Sequence, residues 1–318
     1  MSARRWLIAT ALLLILLAAV AIALRVGIAE PTAEIVWSIR APRVVMALLV
    51  GSGLAIAGAL MQGSLGNPLA DPGLVGVSAG AALGAMAAVA FGASFNTVLT
   101  AAIACVGAAI ATAVVVSVSM RDRRPEVVTL LLAGVAVTAF AIAAIAVVSA
   151  LSTSAAMRSI TFWSSGSLAL STWDGVVSVA PFVAVGVILA ATVAAPLDVM
   201  SLGDRAALAT GVDVTRVRYR SLAAVILLVA AGVAVVGVIA FVGLLVPHAV
   251  RMVVGPRHGP LLVLSALGGA LLILVADTVA RVAANPVEIP IGAITAVLGA
   301  PVFFLLIRRT RARQGGWA

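Results

Sequence analysis

The 318-residue chain contains no lysine, and all 20 of its basic residues are arginine. A P-loop needs a lysine to reach its phosphates, so the chain is not a nucleotide hydrolase of that kind. Schiff-base chemistry on a lysine amine is excluded for the same reason. The single cysteine, Cys105, lies in an apolar run and has no second thiol for an internal disulfide. Two histidines, His248 and His258, are too few for a histidine-rich metal or haem site. Charged residues make up 10% of the chain, against about 25% in soluble domains, which leaves no room for a sizeable soluble domain. No paired aspartates of the kind a metal-dependent membrane transferase needs are present, so neither catalytic residues nor metal ligands are expected. The net charge of +9 comes from arginines scattered between apolar runs, a pattern that does not suit nucleic acid.

What remains is apolar: 64% hydrophobic residues and a mean hydropathy of +1.26. The runs are long and do not alternate, so they read as helices rather than barrel strands. The expectation is an all-α polytopic membrane protein of about ten spans, a single transmembrane domain over residues 1–318. The spans fall near 6–24, 44–63, 75–92, 97–119, 127–149, 176–194, 219–237, 240–254, 260–283 and 293–308. Arg4 and Arg5 precede the first. A signal peptide with Ala19-Val20-Ala21 as its cleavage-like site is the alternative there. The run from Trp6 to Leu24 exceeds the usual signal core of about 7–15 residues, so it is read as a retained span. The eighth span is short and carries Pro247 and His248, which predicts a bent or interior helix. With the N-terminus inside, the outer segments hold only Arg25, Arg40, Arg43, Arg158 and Arg281. This agrees with the positive-inside rule and places both termini in the cytoplasm.

One stretch is built differently from its neighbours: NPLADPGLVGVSAGAALG, Asn67 to Gly84. Pro68 and Pro72 lack donors and push the preceding residue out of helical geometry. The stretch reads as a broken polar re-entry followed at once by a helix. In that helix Gly76, Gly80 and Gly84 recur every four residues, a face on which another helix can approach closely.

Four other segments stand out. The longest cytoplasmic loop, about 196–218, holds LDVMSLGDRAALATGVDVTRVR. Ser201 and Asp204 suit helix caps and Gly211 a helix end. It reads either as an interfacial anchor or as a helix that docks on a cytoplasmic partner. TFWSSGSLALSTW, from Thr161 to Trp173, carries Trp163 and Trp173 at a membrane interface, with Gly166-Ser167 between them. FVGLLVPHAVR places His248 beside Pro247, where a packed, hydrogen-bonded histidine is the ordinary reading. Near the C-terminus come ADTVAR, NPVEIPIG and GAP. Asp277 is an intramembrane acid and so a functional candidate, but Arg281 lies four residues on and is the simpler explanation as its partner.

In this order, these motifs resemble the permease subunits of bacterial ABC importers for iron chelates, haem and vitamin B12. The resemblance runs from Arg40 to Arg309. It implies the permease fold of type II importers, paired as a homodimer or heterodimer around a central path. It also implies two cytoplasmic ATPase subunits, which hold the ATP and magnesium, an extracytoplasmic binding protein, and residence in the bacterial inner membrane. No cofactor is implied in this chain. By the same resemblance Asn67, Leu69 and Thr129 close the path on the cytoplasmic side, and Trp163, Gly166 and Ser167 border it. Gly203, Asp204, Arg205, Ala206, Ala207 and Gly211 form the ATPase-docking motif, and Arg40, Arg43 and Arg281 meet acids of the binding protein. Three positions depart from the pattern: Arg205 stands where an acid is usual, and Val238 and Ala240 where proline and glycine are common. Ferric siderophore is the expected cargo, with haem or cobalamin behind it. An ion-coupled secondary transporter is the alternative, resting on Asp277.

Overall fold

The computed structural model describes residues 3–27, 30–94, 96–121, 124–125, 127–151, 165–283 and 288–313. These residues are helical apart from a short antiparallel pair, Met120–Arg121 with Arg124–Pro125, and the turns between helices. The helices are α1 (Ala3–Arg25), α2 (Ala41–Ser64), α3 (Val77–Ala90), α4 (Val98–Ser119), α5 (Val127–Leu151), α6 (Trp173–Met200), α7 (Asp204–Ala209), α8 (Val214–Val236), α9 (Val242–Val254), α10 (His258–Val282) and α11 (Ile291–Arg313). Seven of the helical segments are long and apolar enough to cross a membrane; α3, α9 and the Ile291–Phe304 part of α11 are apolar but shorter. α7 has six residues and is polar at its start.

α2 is the centre of the bundle. It is entered through a short turn at Ala33–Ile35 and a π-helical stretch at Val36–Arg40. Met46, Leu60 and Met61 on it are fully buried. Its small residues let other helices reach its backbone: a Cβ on Gly51 would strike the Gly269 carbonyl of α10, and one on Gly53 would lie 2.8 Å from the Leu228 oxygen of α8. Without a hydrophobic drive between helices in lipid, such close van der Waals contact is what associates them. By contrast α1 and α5 are largely exposed, with Leu7, Leu14, Leu132 and Phe140 open to the surroundings.

The expected spans coincide with these helices, with three differences. The loop at 196–218 is shorter: α6 continues through Pro196 to Met200, and α8 begins at Val214, where the Asp213 carboxylate accepts from the Arg216 N–H at 2.9 Å. A proline in a membrane helix is tolerated where neighbours satisfy the freed backbone. Second, Trp173 begins α6 and donates its indole N–H to the Trp37 carbonyl at 3.0 Å, so it joins two helix starts. Third, Gly76 is not part of α3. With φ +78° it is the left-handed joint between the 3-10 turn Pro72–Val75 and the helix, and a side chain there would be strained. The glycine face of α3 is Gly80 and Gly84. A Cβ on either would lie 2.6 Å from a carbonyl of α4, that of Gly107 or Ile103.

Candidate translocation and coupling sites

The re-entrant turn follows from its own side chains. The Asn67 amide oxygen accepts from the Leu69 N–H at 2.9 Å, and the Asp71 carboxylate accepts from the Gly73 N–H at 2.8 Å. These Asx turns satisfy backbone donors in a stretch whose two prolines prevent a regular helix. Asn67 and Leu130 line one hollow, so the turn packs on the start of α5, where half-buried Thr129 stands. Of the expected gate residues, Asn67, Leu69 and Thr129 are thus gathered at one end of the molecule.

Above the turn lies a cavity of about 560 Å³ between α3, α5 and residues 238–240. Its wall is mostly small or apolar, including Ala82, Ile142 and Ile239. Asp71, Ser78, Thr138 and Ser149 supply polar groups. Burial pushes the Asp71 carboxyl above its usual range, opposed by the Gly73 N–H. Gly166 and Ser167 pack on residues 236–238, the last of which lines the cavity. The Ser167 N–H donates to the Val236 carbonyl at 2.8 Å, and Gly166 fits against the Val238 carbonyl. Trp163 lies outside the described residues.

The coupling segment is compact. α7 ends in a Schellman motif, with the Val212 N–H on the Ala207 carbonyl and the Gly211 N–H on that of Leu208. Gly211 has φ +83°, with open space within 4 Å of where a Cβ would stand. Gly203 opens the helix without a side-chain cap. Ala207 is buried beneath it, while Arg205, Ala206, Leu202 and Leu208 are exposed. Asp204 does not cap. It accepts from Arg218 Nη2 at 3.0 Å on both oxygens, and Arg218 Nε donates to the Ser64 carbonyl at 3.2 Å. Arg218 therefore ties α7 to the last turn of α2, directly before the re-entrant turn. Sequence reasoning did not single it out. The clue available was an arginine one turn into a helix whose only nearby acids in sequence are Asp204 and Asp213.

Arg40, Arg43 and Arg281, expected to meet acids of a binding protein, are buried in this chain, at 4%, 5% and 8% exposed. Arg43 donates from Nε to Asp277 at 2.8 Å and from both Nη atoms to Glu288 at 3.0 Å. Arg40 donates to the Leu24 and Arg25 carbonyls at the end of α1. Arg281 donates to the Ala23 and Val26 carbonyls. Cations at a helix C-terminus meet the negative end of its dipole, so two of the three hold α1 in place. Asp277 does pair with Arg281, at 3.3 Å and without hydrogen-bond alignment. Its tighter partner is Arg43, 234 residues away in sequence.

Among the remaining candidates, His248 is half-buried on α9 and its Nδ1 has no partner among the described residues. His258 is buried at the start of α10. Its backbone N–H donates to Asp198 at 2.6 Å, and its Nδ1 lies 2.7 Å from the same oxygen.

The site thus joins a cavity beside a broken helix to a small tethered helix at the same end of the bundle as the turn. Known proteins share this fold. The chain is 41% identical over 290 residues to the cobalamin import system permease BtuC of Halobacterium salinarum, covering 91% of this chain and 78% of that one. It is 40% identical over 285 residues to the hemin transport system permease HmuU of Yersinia pestis, covering 88% and 85%. Other relatives are named for import of iron(III) hydroxamate and iron(III) dicitrate. A metal-chelate type ABC transporter solved in an inward-facing conformation superposes with a TM-score of 0.84 at 31% identity, covering 96% of this chain and 99% of that one. The FecCD transport family matches residues 6–309, and the chain belongs to that family of ABC transporter permeases, a translocation component rather than an enzyme.

Proposed function

We propose that this chain forms, with a second permease subunit, the membrane path of an ATP-driven importer for a metal chelate, ferric siderophore first and haem or cobalamin next. The observation that carries the reading is the cavity of about 560 Å³ above the re-entrant turn. It is wide and weakly polar, which suits a chelate whose metal is already wrapped and which needs no ligands from the path. Ten helices of one domain span the inner membrane in this reading, with both termini in the cytoplasm. Asn67, Leu69 and Thr129 close the foot of the path. Two ATPase subunits bind ATP and magnesium and grip α7 through Arg205, Ala206 and Leu208, with Leu202 just before it. An extracytoplasmic binding protein delivers the cargo. For the outer arginines, the reading becomes narrower: Glu288, whose side chain is 30% exposed, is the part of the cluster open to exchange, so a partner carboxylate docks there by replacing Glu288 on Arg43.

The ion-coupled alternative loses its main support, because Asp277 is paired from two sides by Arg43 and Arg281. The test is uptake of radiolabelled iron chelate by the reconstituted permease, ATPase and binding protein. Uptake is expected to require ATP and to survive collapse of ion gradients by ionophore. Uptake without ATP that follows an imposed ion gradient would overturn the proposal.

A further inference from the structure

At the end of the bundle where α1 begins and α9 ends, basic groups outnumber the acids among the described residues. Arg251 is half-buried on the last turn of α9, and its Nε and Nη2 are shielded from water with no hydrogen-bond partner. Unpaired guanidinium donors out of water are costly and call for an acceptor. Gly255 caps the end of α9, with its N–H on the Arg251 carbonyl at 2.9 Å. Arg5 of α1 reaches this helix end, with Nη2 3.8 Å from where a Cβ on Gly255 would sit. Exposed Arg257 follows in the turn to α10. The nearby acid is Asp198, and its Oδ1 is taken by His258.

The neighbours of these arginines identify what they face. Trp6 and Leu7, next to Arg5, are 61% and 71% exposed, and Met252 and Val253, next to Arg251, are 65% and 51% exposed. In a membrane protein such surface meets acyl chains. Basic residues set beside acyl-facing side chains at a helix end fit a lipid phosphate, and basic pockets between membrane helices take anionic headgroups. We propose that Arg5, Arg251 and Arg257 form a binding site for the headgroup of one anionic phospholipid in the groove between α1 and α9. A guanidinium fork suits a phosphate because it donates two parallel hydrogen bonds. The site depends on local geometry alone, whichever side of the membrane this end faces.

The test uses the assembled permease–ATPase complex, delipidated in detergent and titrated with phosphatidylglycerol or phosphatidylcholine under native mass spectrometry. One phosphatidylglycerol per permease chain is expected to be retained preferentially. Arg5→Gln, on the exposed helix α1, should weaken it about fivefold, from roughly one charge contact at the membrane surface. Arg5→Gln with Arg257→Gln should weaken it further, and Arg251→Gln should act likewise if that variant folds. Phosphatidylcholine binding should not change, and millimolar inorganic phosphate should not displace the lipid. Equal phosphatidylglycerol retention by wild type and Arg5→Gln would overturn the proposal. So would displacement by free phosphate, or an Arg251→Gln variant that loses its ATPase while keeping its lipid, which would assign the arginine to a subunit contact.

Discussion

Replacing Asp277 by alanine tests whether the outer arginine cluster holds the fold. Asp277 is fully buried and has a guanidinium nitrogen 2.8 Å from one oxygen and another 3.3 Å from the other. Removing it leaves Arg43 with Glu288 alone and Arg281 with only backbone and hydroxyl acceptors, both in a buried site. Breaking a buried pair from one side costs about 3–5 kcal/mol, against about 0–1 for an exposed pair. Converted at roughly 2 °C per kcal/mol for a chain of this size, the midpoint should fall by about 6 °C or more. The assay is thermal unfolding of the purified complex in detergent by tryptophan fluorescence, at one scan rate because unfolding of such proteins is often irreversible. Hydrogen exchange at the end of α1 should rise with it, because Arg281 anchors the Ala23 and Val26 carbonyls. Asp277→Asn keeps an acceptor for Arg43 and should fall between. A midpoint within about 1 °C of wild type for Asp277→Ala would refute the reasoning and return the arginines to a purely external role.

Gly80→Val should abolish folded expression or cost at least about 2 kcal/mol, since its Cβ would lie 2.6 Å from the Gly107 oxygen; membrane yield and detergent stability measure this. Asp71→Asn keeps the acceptor for the Gly73 N–H while removing a carboxylate whose pKa burial raises. A raised folded pKa means stability grows as pH falls through it, so wild type should gain stability on acidification and the asparagine variant should lose that pH slope; Asp71→Ala should lose it too and should cost about 1 kcal/mol relative to Asp71→Asn at any pH. Gly211→Trp should leave the complex inserted but uncouple ATP hydrolysis from uptake, since the glycine sits at an open left-handed position on the docking segment. Leu69→Cys, in a Cys105→Ala background, should crosslink across the permease pair in one nucleotide state more than another; crosslinking indifferent to nucleotide would count against a gate there.

The helices were legible because long apolar runs carry their own boundaries, and Gly80 and Gly84 because a four-residue spacing marks one face before any partner is known. The re-entrant turn was legible for a related reason: two prolines and two Asx residues dictate its local hydrogen bonds. Arg43 with Asp277 was not, because the pair joins positions 234 residues apart, and only the packing of α10 on α2 brings them together. The positive-inside rule counts charges but cannot say whether a charge on the disfavoured side points outward or is neutralised within. Arg218 was hidden by its setting. Arg216, Arg218 and Arg220 give the start of α8 the polarity of a loop, although Asp213 caps it as a helix.

The two segments proposed to meet partners act on the same rod. Near its N-terminal end α2 holds Arg43, paired with Asp277 of α10 and with Glu288, where a docking carboxylate would compete. At its C-terminal end the Ser64 carbonyl accepts from Arg218, which also holds Asp204 of α7. The helix has 24 residues in all, about 36 Å at the helical rise, buried and crossed at the backbone by α8, α9 and α10. A rod packed that closely does not bend easily; it shifts or tilts as a body. Movement of α7 under the ATPases would thus pass through Arg218 to the last turn of α2 and into the turn at Asn67, without any contact between partner and gate. Replacing Arg218 by methionine keeps much of its packing and removes both links. The expected result is a folded complex that still binds its ATPases through α7 but whose gate no longer follows their nucleotide state, read as Leu69→Cys crosslinking that is equal with and without ATP. If that crosslinking keeps its nucleotide dependence in the Arg218→Met variant, the coupling runs by another route.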